Sequence, residues 1–161
     1  MPSSLKEIMI SAYQSYLWNE CIKQLLIRKI NKRKLYSIKY NIGSLIFCKS
    51  LTEDEAKNIP QTFKTISDQI EPTDFEAGII NKVLAREGIA LKDFDIKKQT
   101  GNFFKTHERN VLLKPSGFRI SSPVMDELND RGRKNTFKIT LSFVLPKGSY
   151  ATVITKRIFN Q

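Results

Sequence analysis

His107, next to Glu108 and Arg109, is the single side chain of the 161 residues whose ordinary pKa suits general-base work near neutral pH. No candidate nucleophile stands near it in sequence, so an exposed or hydrogen-bonding role fits it better. Asp54, Asp68, Asp74, Asp93 and Asp95 lie in charged or loop-like contexts, and no spacing among them would build a buried carboxylate pair. Cys21 and Cys48 sit in apolar runs and, with one histidine, match no zinc spacing; they read as two reduced core thiols. The phosphate-cradling loops G-x-x-x-x-G-K-[ST] and G-x-G-x-x-G are absent. From residue types alone, no metal, no cofactor and no catalytic residue is assigned.

What the chain has in quantity is positive charge. There are 27 Lys and Arg against 16 Asp and Glu, a net charge of +11, with a sequence pI of about 9.7. Residues 1–50 carry +7, residues 51–100 carry −3 and residues 101–161 carry +7. Two basic ends around an acidic middle suggest one positive face and a polyanionic partner, RNA or DNA. The tract Lys32-Arg33-Lys34 reads either as a solubilising helix end or as a phosphate contact. Lys147-Gly148 reads as a plain turn or as a phosphate corner, since glycine permits close backbone approach and a following helix offers free N–H groups. No stretch approaches the roughly 18 apolar residues of a membrane span, and Met1–Ile10 lacks a signal-peptide pattern, so the cytoplasm is the expected compartment.

The elements that would position these groups follow from periodicity. Apolar residues recur at helical spacing from Ile8 to Ile30, predicting a long helix opened by the capping box Ser4-x-x-Glu7 and broken near Ser11. Period-two alternation over Leu35–Lys49 predicts one or two short strands. Thr52-x-x-Glu55 opens a helix that Pro60 limits to about two turns, and residues 59–72 read as polar loop. Thr73-x-x-Glu76, an apolar stripe at Ile79, Ile80, Val83 and Leu84, and Gly88 at the end predict the next helix. Asn102–Lys114 reads as a strand pair or broken strand stopped by Pro115-Ser116-Gly117. After a polar connector, Phe137, Ile139, Leu141, Phe143 and Leu145 alternate strictly and predict a strand, followed by a terminal helix from Ser149. The fold class is α+β.

Two segments carry more than periodicity. Ile10-Ser11-Ala12-Tyr13-Gln14-Ser15-Tyr16-Leu17-Trp18-Asn19 and Phe143-Val144-Leu145-Pro146-Lys147-Gly148-Ser149-Tyr150-Ala151-Thr152 closely resemble two motifs of the TruD-type tRNA pseudouridine synthases. Gly101–Pro115, with Glu108-Arg109 and Leu112, is similar to a third, and the three occur in family order. This resemblance implies an RNA-modifying isomerase that converts a uridine in tRNA to pseudouridine, uridine 13 in the type reaction, without cofactor or metal. It further implies a family α+β insertion domain at residues 11–115 and C-terminal elements of a mixed-sheet catalytic domain, one strand and one helix, at residues 135–161. Residues 1–10 would be a lead-in or linker and residues 116–134 a connector.

The family's nucleophilic aspartate lies in a Gly-x-Lys-Asp stretch and its substrate-stacking phenylalanine in an Asn-Tyr-Phe-Gly stretch, and neither stretch occurs in this sequence. The catalytic residues are therefore unknown here, and the chain resembles the C-terminal portion of such an enzyme. The expected partners are tRNA, a separate N-terminal portion bearing the aspartate, and a second copy through the apolar face of residues 137–145. Lys32, Arg33, Lys34, Arg109, Lys147 and Gly148 are expected to contact nucleic acid, and Tyr13, Gln14 and Tyr16 to contact RNA or the partner portion. The alternative is a non-catalytic RNA-binding or accessory module.

Overall fold

The computed structural model describes residues 3–95, 104–129 and 136–159, which form two compact units, Met1–Leu112 with Thr152–Gln161, and Leu113–Ala151. The larger unit is built on helix α1, Ser3–Lys29. It runs unbroken through Ser11, whose carbonyl accepts from the Ser15 hydroxyl at 2.8 Å, so the expected break does not occur. Residues 3–10, expected as lead-in or linker, are its first turns.

Helix α1 lays Leu17, Cys21 and Leu25 fully into the core, with Ile22, Leu26 and Ile30 beside them. Against it packs α3, Asp74–Glu87, through Ile79, Ile80, Val83 and Leu84. Both ends of α3 are fixed as the sequence predicts. Thr73 and Glu76 form a reciprocal capping box, and Gly88 ends the helix at φ 70°, a left-handed conformation that costs glycine nothing. The short α2, Glu53–Lys57, has the same box between Thr52 and Glu55.

Strands β1, Leu35–Tyr40, and β2, Gly43–Cys48, form an antiparallel hairpin in which Tyr36 faces Phe47 and Ile38 faces Leu45. One face, Leu35, Ile46 and Cys48, packs on the core. On the other face Tyr36 meets helix α4, Ala151–Phe159, through Arg157.

Residues 59–72 are not the polar loop their composition suggests. They contain strand β3, Thr62–Lys64, which pairs with β4, Glu108–Asn110, and they bury Ile59, Phe63, Thr65, Ile66, Ser67 and Ile70. Thr65 and Ser67 tolerate full burial because their hydroxyls bond to Lys105 O at 3.0 Å and to the Thr106 hydroxyl at 2.6 Å. The earlier part of the expected strand at 102–114, residues 102 and 103, lies outside the described residues.

The smaller unit is one bent two-stranded ribbon. Strand β5, Ser116–Ile120, pairs with β8, Leu141–Val144, and β6, Val124–Met125, pairs with β7, Phe137–Lys138. A backbone bond from Ser121 to Thr140 continues the ladder between them, and one from Asp126 to Thr136 extends it past β6 and β7. The expected stop at Ser116-Gly117 is instead a register irregularity inside β5, where Gly117 takes φ 58°. The expected connector thus supplies one leg of the ribbon, at least as far as Asp126. The predicted strand is split into β7 and β8, and its alternation holds from residue 139 on, where Ile139, Leu141, Phe143 and Leu145 are half-buried while Thr140, Ser142 and Val144 are exposed; Phe137, expected on the inner face, is exposed. The unit's described residues include none that is buried.

Gln14 is only 5 % exposed, and its amide donates to Ile66 O at 2.7 Å and Lys105 O at 2.9 Å. Gln14→Leu should therefore cost about 2 kcal/mol in urea unfolding, since Ile66 O loses its side-chain donor while Lys105 O keeps Thr65. Thr73→Ala should cost about 1 kcal/mol. Burial pushes the Cys21 thiol up to about 12, so a thiol reagent at pH 8 should modify partly exposed Cys48 first and reach Cys21 only through unfolding.

Candidate nucleic-acid interface

Helix α1 places the residues of the first motif on different faces. Gln14 points inward, and with both amide bonds spent inside the domain it is a structural bridge, which replaces the expectation of a contact with RNA or a partner. Trp18 does related work, its indole N–H donating to Phe63 O at 2.9 Å. Tyr16 is half-buried and donates to Glu87 on α3 at 3.0 Å; burial, with Glu87 beside it, raises its pKa and keeps it a donor. Tyr13 is exposed and stacks on Tyr16 with ring centroids 6.2 Å apart.

Arg109 on β4 sits opposite Phe63 in the ladder and returns to α1, where its guanidinium donates to Ser15 at 3.1 Å and lies 6.0 Å from the Trp18 ring centroid. The first and third resemblance segments, distant in sequence, therefore meet at Ser15, Gln14 and Trp18 on one side and Lys105 and Arg109 on the other. His107 lies on the same strand-leading segment with an exposed side chain, and its backbone is engaged with Thr65. Among the aspartates, Asp54 pairs with Lys57 at 3.7 Å and Asp93 caps the short turn at Ala90.

The tract Lys32-Arg33-Lys34 forms one turn of 3₁₀ helix just past α1, with the Asn31 side chain accepting from the Arg33 N–H. Three consecutive residues of such a turn point about 120° apart. Lys34 points to Glu55 and bonds it at 2.7 Å, which holds that carboxyl below the usual carboxylate range. Lys32 and Arg33 are exposed and form no ion pair among the described residues.

Close to this turn in space are two cations that sequence reasoning did not single out. The Lys49 N–H bonds to Lys34 O at 2.8 Å, and Arg157 of α4 donates to Cys48 O at 2.9 Å and Lys49 O at 3.2 Å and to the Tyr36 hydroxyl. No local signal could have joined residues 33, 49 and 157; only the hairpin and the docking of α4 bring them together. In the other unit, Lys147 and Gly148 occupy an exposed turn closed by Ser149 N–H to Pro146 O at 3.2 Å, with Gly148 at φ 83°.

Several other cations are committed to the fold. Glu20, buried on α1, holds Arg86 at 2.8 Å and Lys23 at 3.6 Å, and Lys29 lies over the Phe75 ring at 4.7 Å. No helix among the described residues is long and apolar enough to cross a membrane.

Comparison with known proteins agrees with the resemblance. The family model for tRNA pseudouridine synthase D (TruD) matches residues 1–158. The chain is 41 % identical over 157 residues to "Probable tRNA pseudouridine synthase D 2" of Methanocaldococcus jannaschii, covering 96 % of this chain and 36 % of that protein. It is 40 % identical to "Probable tRNA pseudouridine synthase D 1" of Methanococcus maripaludis, covering 97 % and 39 %. A crystal structure assigned to TruD of Methanosarcina mazei superposes with a TM-score of 0.59 at 25 % identity, over all of this chain and 39 % of that one. The chain thus spans less than two fifths of the length of these relatives, and over that span, in sequence and in its mixed helix-and-strand architecture, it belongs to the tRNA pseudouridine synthase D (TruD) family.

Proposed function

We propose that this chain is the tRNA-holding and framework portion of a pseudouridine synthase acting on uridine 13 of tRNA, with the nucleophilic aspartate supplied by protein outside these 161 residues. The observation that carries this reading is the family match across residues 1–158 in a chain that corresponds to 36–39 % of its relatives. Isomerisation breaks the bond from the ribose to the base nitrogen and re-forms it to a base carbon. By the family resemblance a carboxylate drives this step, and the base must be drawn out of its stack to reach it. The carboxylates located above are tied to caps and ion pairs, which is consistent with a share in binding.

Charge and exposed surface support the division of labour. Of the residues expected to contact nucleic acid, Lys32, Arg33, Lys147 and the open backbone at Gly148 are turned to solvent, as RNA contacts need to be. Lys34 and Arg109 have protein partners already and serve such contacts through the shape they hold. In this reading residues 11–115 are mainly the family insertion and residues 135–161 an edge of the catalytic domain.

A surface for the remainder of the enzyme is also present. Leu5, Ile8, Met9 and Tyr13 form an exposed apolar stripe at i, i+3, i+4 and i+8 along the first turns of α1. Phe118, Ile120, Phe137 and Val144 are exposed on the ribbon. We assign these surfaces to the N-terminal portion, with self-association as their substitute when it is missing, and the cytoplasm as the place where tRNA is met.

The purified chain should form no pseudouridine in a tRNA transcript, read by mass spectrometry or tritium release, and should do so once a protein segment with the aspartate stretch is added and associates. Turnover by the chain alone would overturn the division. Restored association without turnover would favour the non-catalytic module. Lys147→Gln should weaken tRNA binding and reduce the log–log salt slope by about one unit, while Lys57→Gln, paired with Asp54 in the acidic middle, should leave both unchanged. Anisotropy across a salt series measures the two side by side.

A further inference from the structure

We propose that Lys32, Arg33 and Lys49 form one composite phosphate-holding patch, locked in shape by Arg157, that grips consecutive phosphates of an RNA backbone; this deepens the reading of RNA as the ligand and rests on it. The three cations come from the 3₁₀ turn and the end of β2, and the backbone bond from Lys49 N–H to Lys34 O fixes the two segments side by side. All three side chains are exposed, and none forms an ion pair among the described residues. The carboxylate that touches the turn through Lys34, Glu55, is held in that ion pair, so its charge is largely offset.

Arg157 is the positioning residue. Its guanidinium bonds to the carbonyls of Cys48 and Lys49 and to the Tyr36 hydroxyl, with its centre 5.1 Å from the Tyr36 ring centroid. Carbonyl oxygens at a strand end would repel a phosphate. Covered by a guanidinium, the same strand end presents net positive charge. A planar, pre-organised fork of donors bridges two carbonyls and a hydroxyl while losing less side-chain freedom per bond than a lysine would. The patch therefore exists only when α4, from the end of the chain, lies on the hairpin.

RNA fits this patch better than a membrane does. The neighbouring side chains on the outer hairpin face are tyrosine and phenylalanine held in a stacked pair, Tyr36 on Phe47 at 5.7 Å; both are half-buried and Tyr36 is further held by Arg157 of α4, so they are not free to insert into lipid. The cations lie on a rigid turn and strand end, an arrangement suited to a backbone of regular phosphate spacing.

The test uses the whole chain, a labelled tRNA transcript and fluorescence anisotropy between about 50 and 200 mM salt, with circular dichroism to show that each variant is folded. Lys49→Gln should reduce the salt slope by about one unit and Arg33→Gln/Lys49→Gln by about two, so the double variant should lose about tenfold less affinity across that range than the parent chain does. Lys82→Gln, on the exposed face of α3, should change nothing. An equal loss for Lys82→Gln would reduce the effect to net charge and overturn the patch. An unchanged slope in the double variant, with salt-dependent binding intact in the parent, would overturn the patch and leave RNA binding to other residues. No tRNA binding by the parent would overturn both. Loss of binding to phosphatidylserine vesicles in the double variant, with tRNA affinity retained, would make the patch a membrane contact instead.

Discussion

The larger unit is held together by what one buried amide does. Gln14 reaches from α1 to two main-chain carbonyls, Ile66 and Lys105, that belong to segments nearly forty residues apart in sequence. Those segments flank β3 and β4, which share a ladder of three residue pairs. So short a ladder cannot hold itself in water. With Trp18 bonded to Phe63, Thr65 to Lys105 and Arg109 to Ser15, the pair becomes an extension of α1. Burying this polar set is tolerable because its donors and acceptors are matched, and half-matched it would be worse than an apolar core.

This gives a physical reason for the motif that carries the family resemblance. Its polar residues form the joint between the main helix and the strands that cross it. A sequence motif is commonly taken as a sign of chemistry, yet Gln14 and Ser15 do their work in the packing of the domain. The electrostatics follow the same economy. Glu20, Glu55 and Glu87 draw Arg86, Lys23 and Lys34 inward as fasteners, and the charge left over is turned outward at a few places.

What could be read from the sequence is what local physics determines. The helix stripe of α1, the capping boxes at Thr52 and Thr73, the left-handed stop at Gly88, the short strands within 35–49 and the alternation at 139–145 depend on neighbours within a few residues, and each is present. The segment 59–72 escaped because its burial is decided by distant partners. Thr65 and Ser67 look like loop residues until Lys105 and Thr106 are beside them. The same limit applied at the basic surface. Charge can be counted along a chain, but whether Lys34 faces Glu55 or solvent, and whether Lys49 lies beside the turn of Lys32–Lys34, is settled only by folding. Gln14 was misplaced for this reason: its position on the helix was clear and its depth was not.

The ribbon of residues 116–126 and 136–144 has a consequence for how the chain melts. Its described residues include none that is fully buried, and its cross-strand contacts, such as Phe118 on Phe143 at 6.0 Å, are those of a lone hairpin. The larger unit, by contrast, closes over a continuous core from α1 to Phe94. Cooperativity comes from shared burial, so the two units form separate foldons with different opening free energies. Loss of the ribbon need not disturb α1 and α3, and heating this chain should give a shallow early transition followed by a sharp one. A single melting temperature would describe only the second.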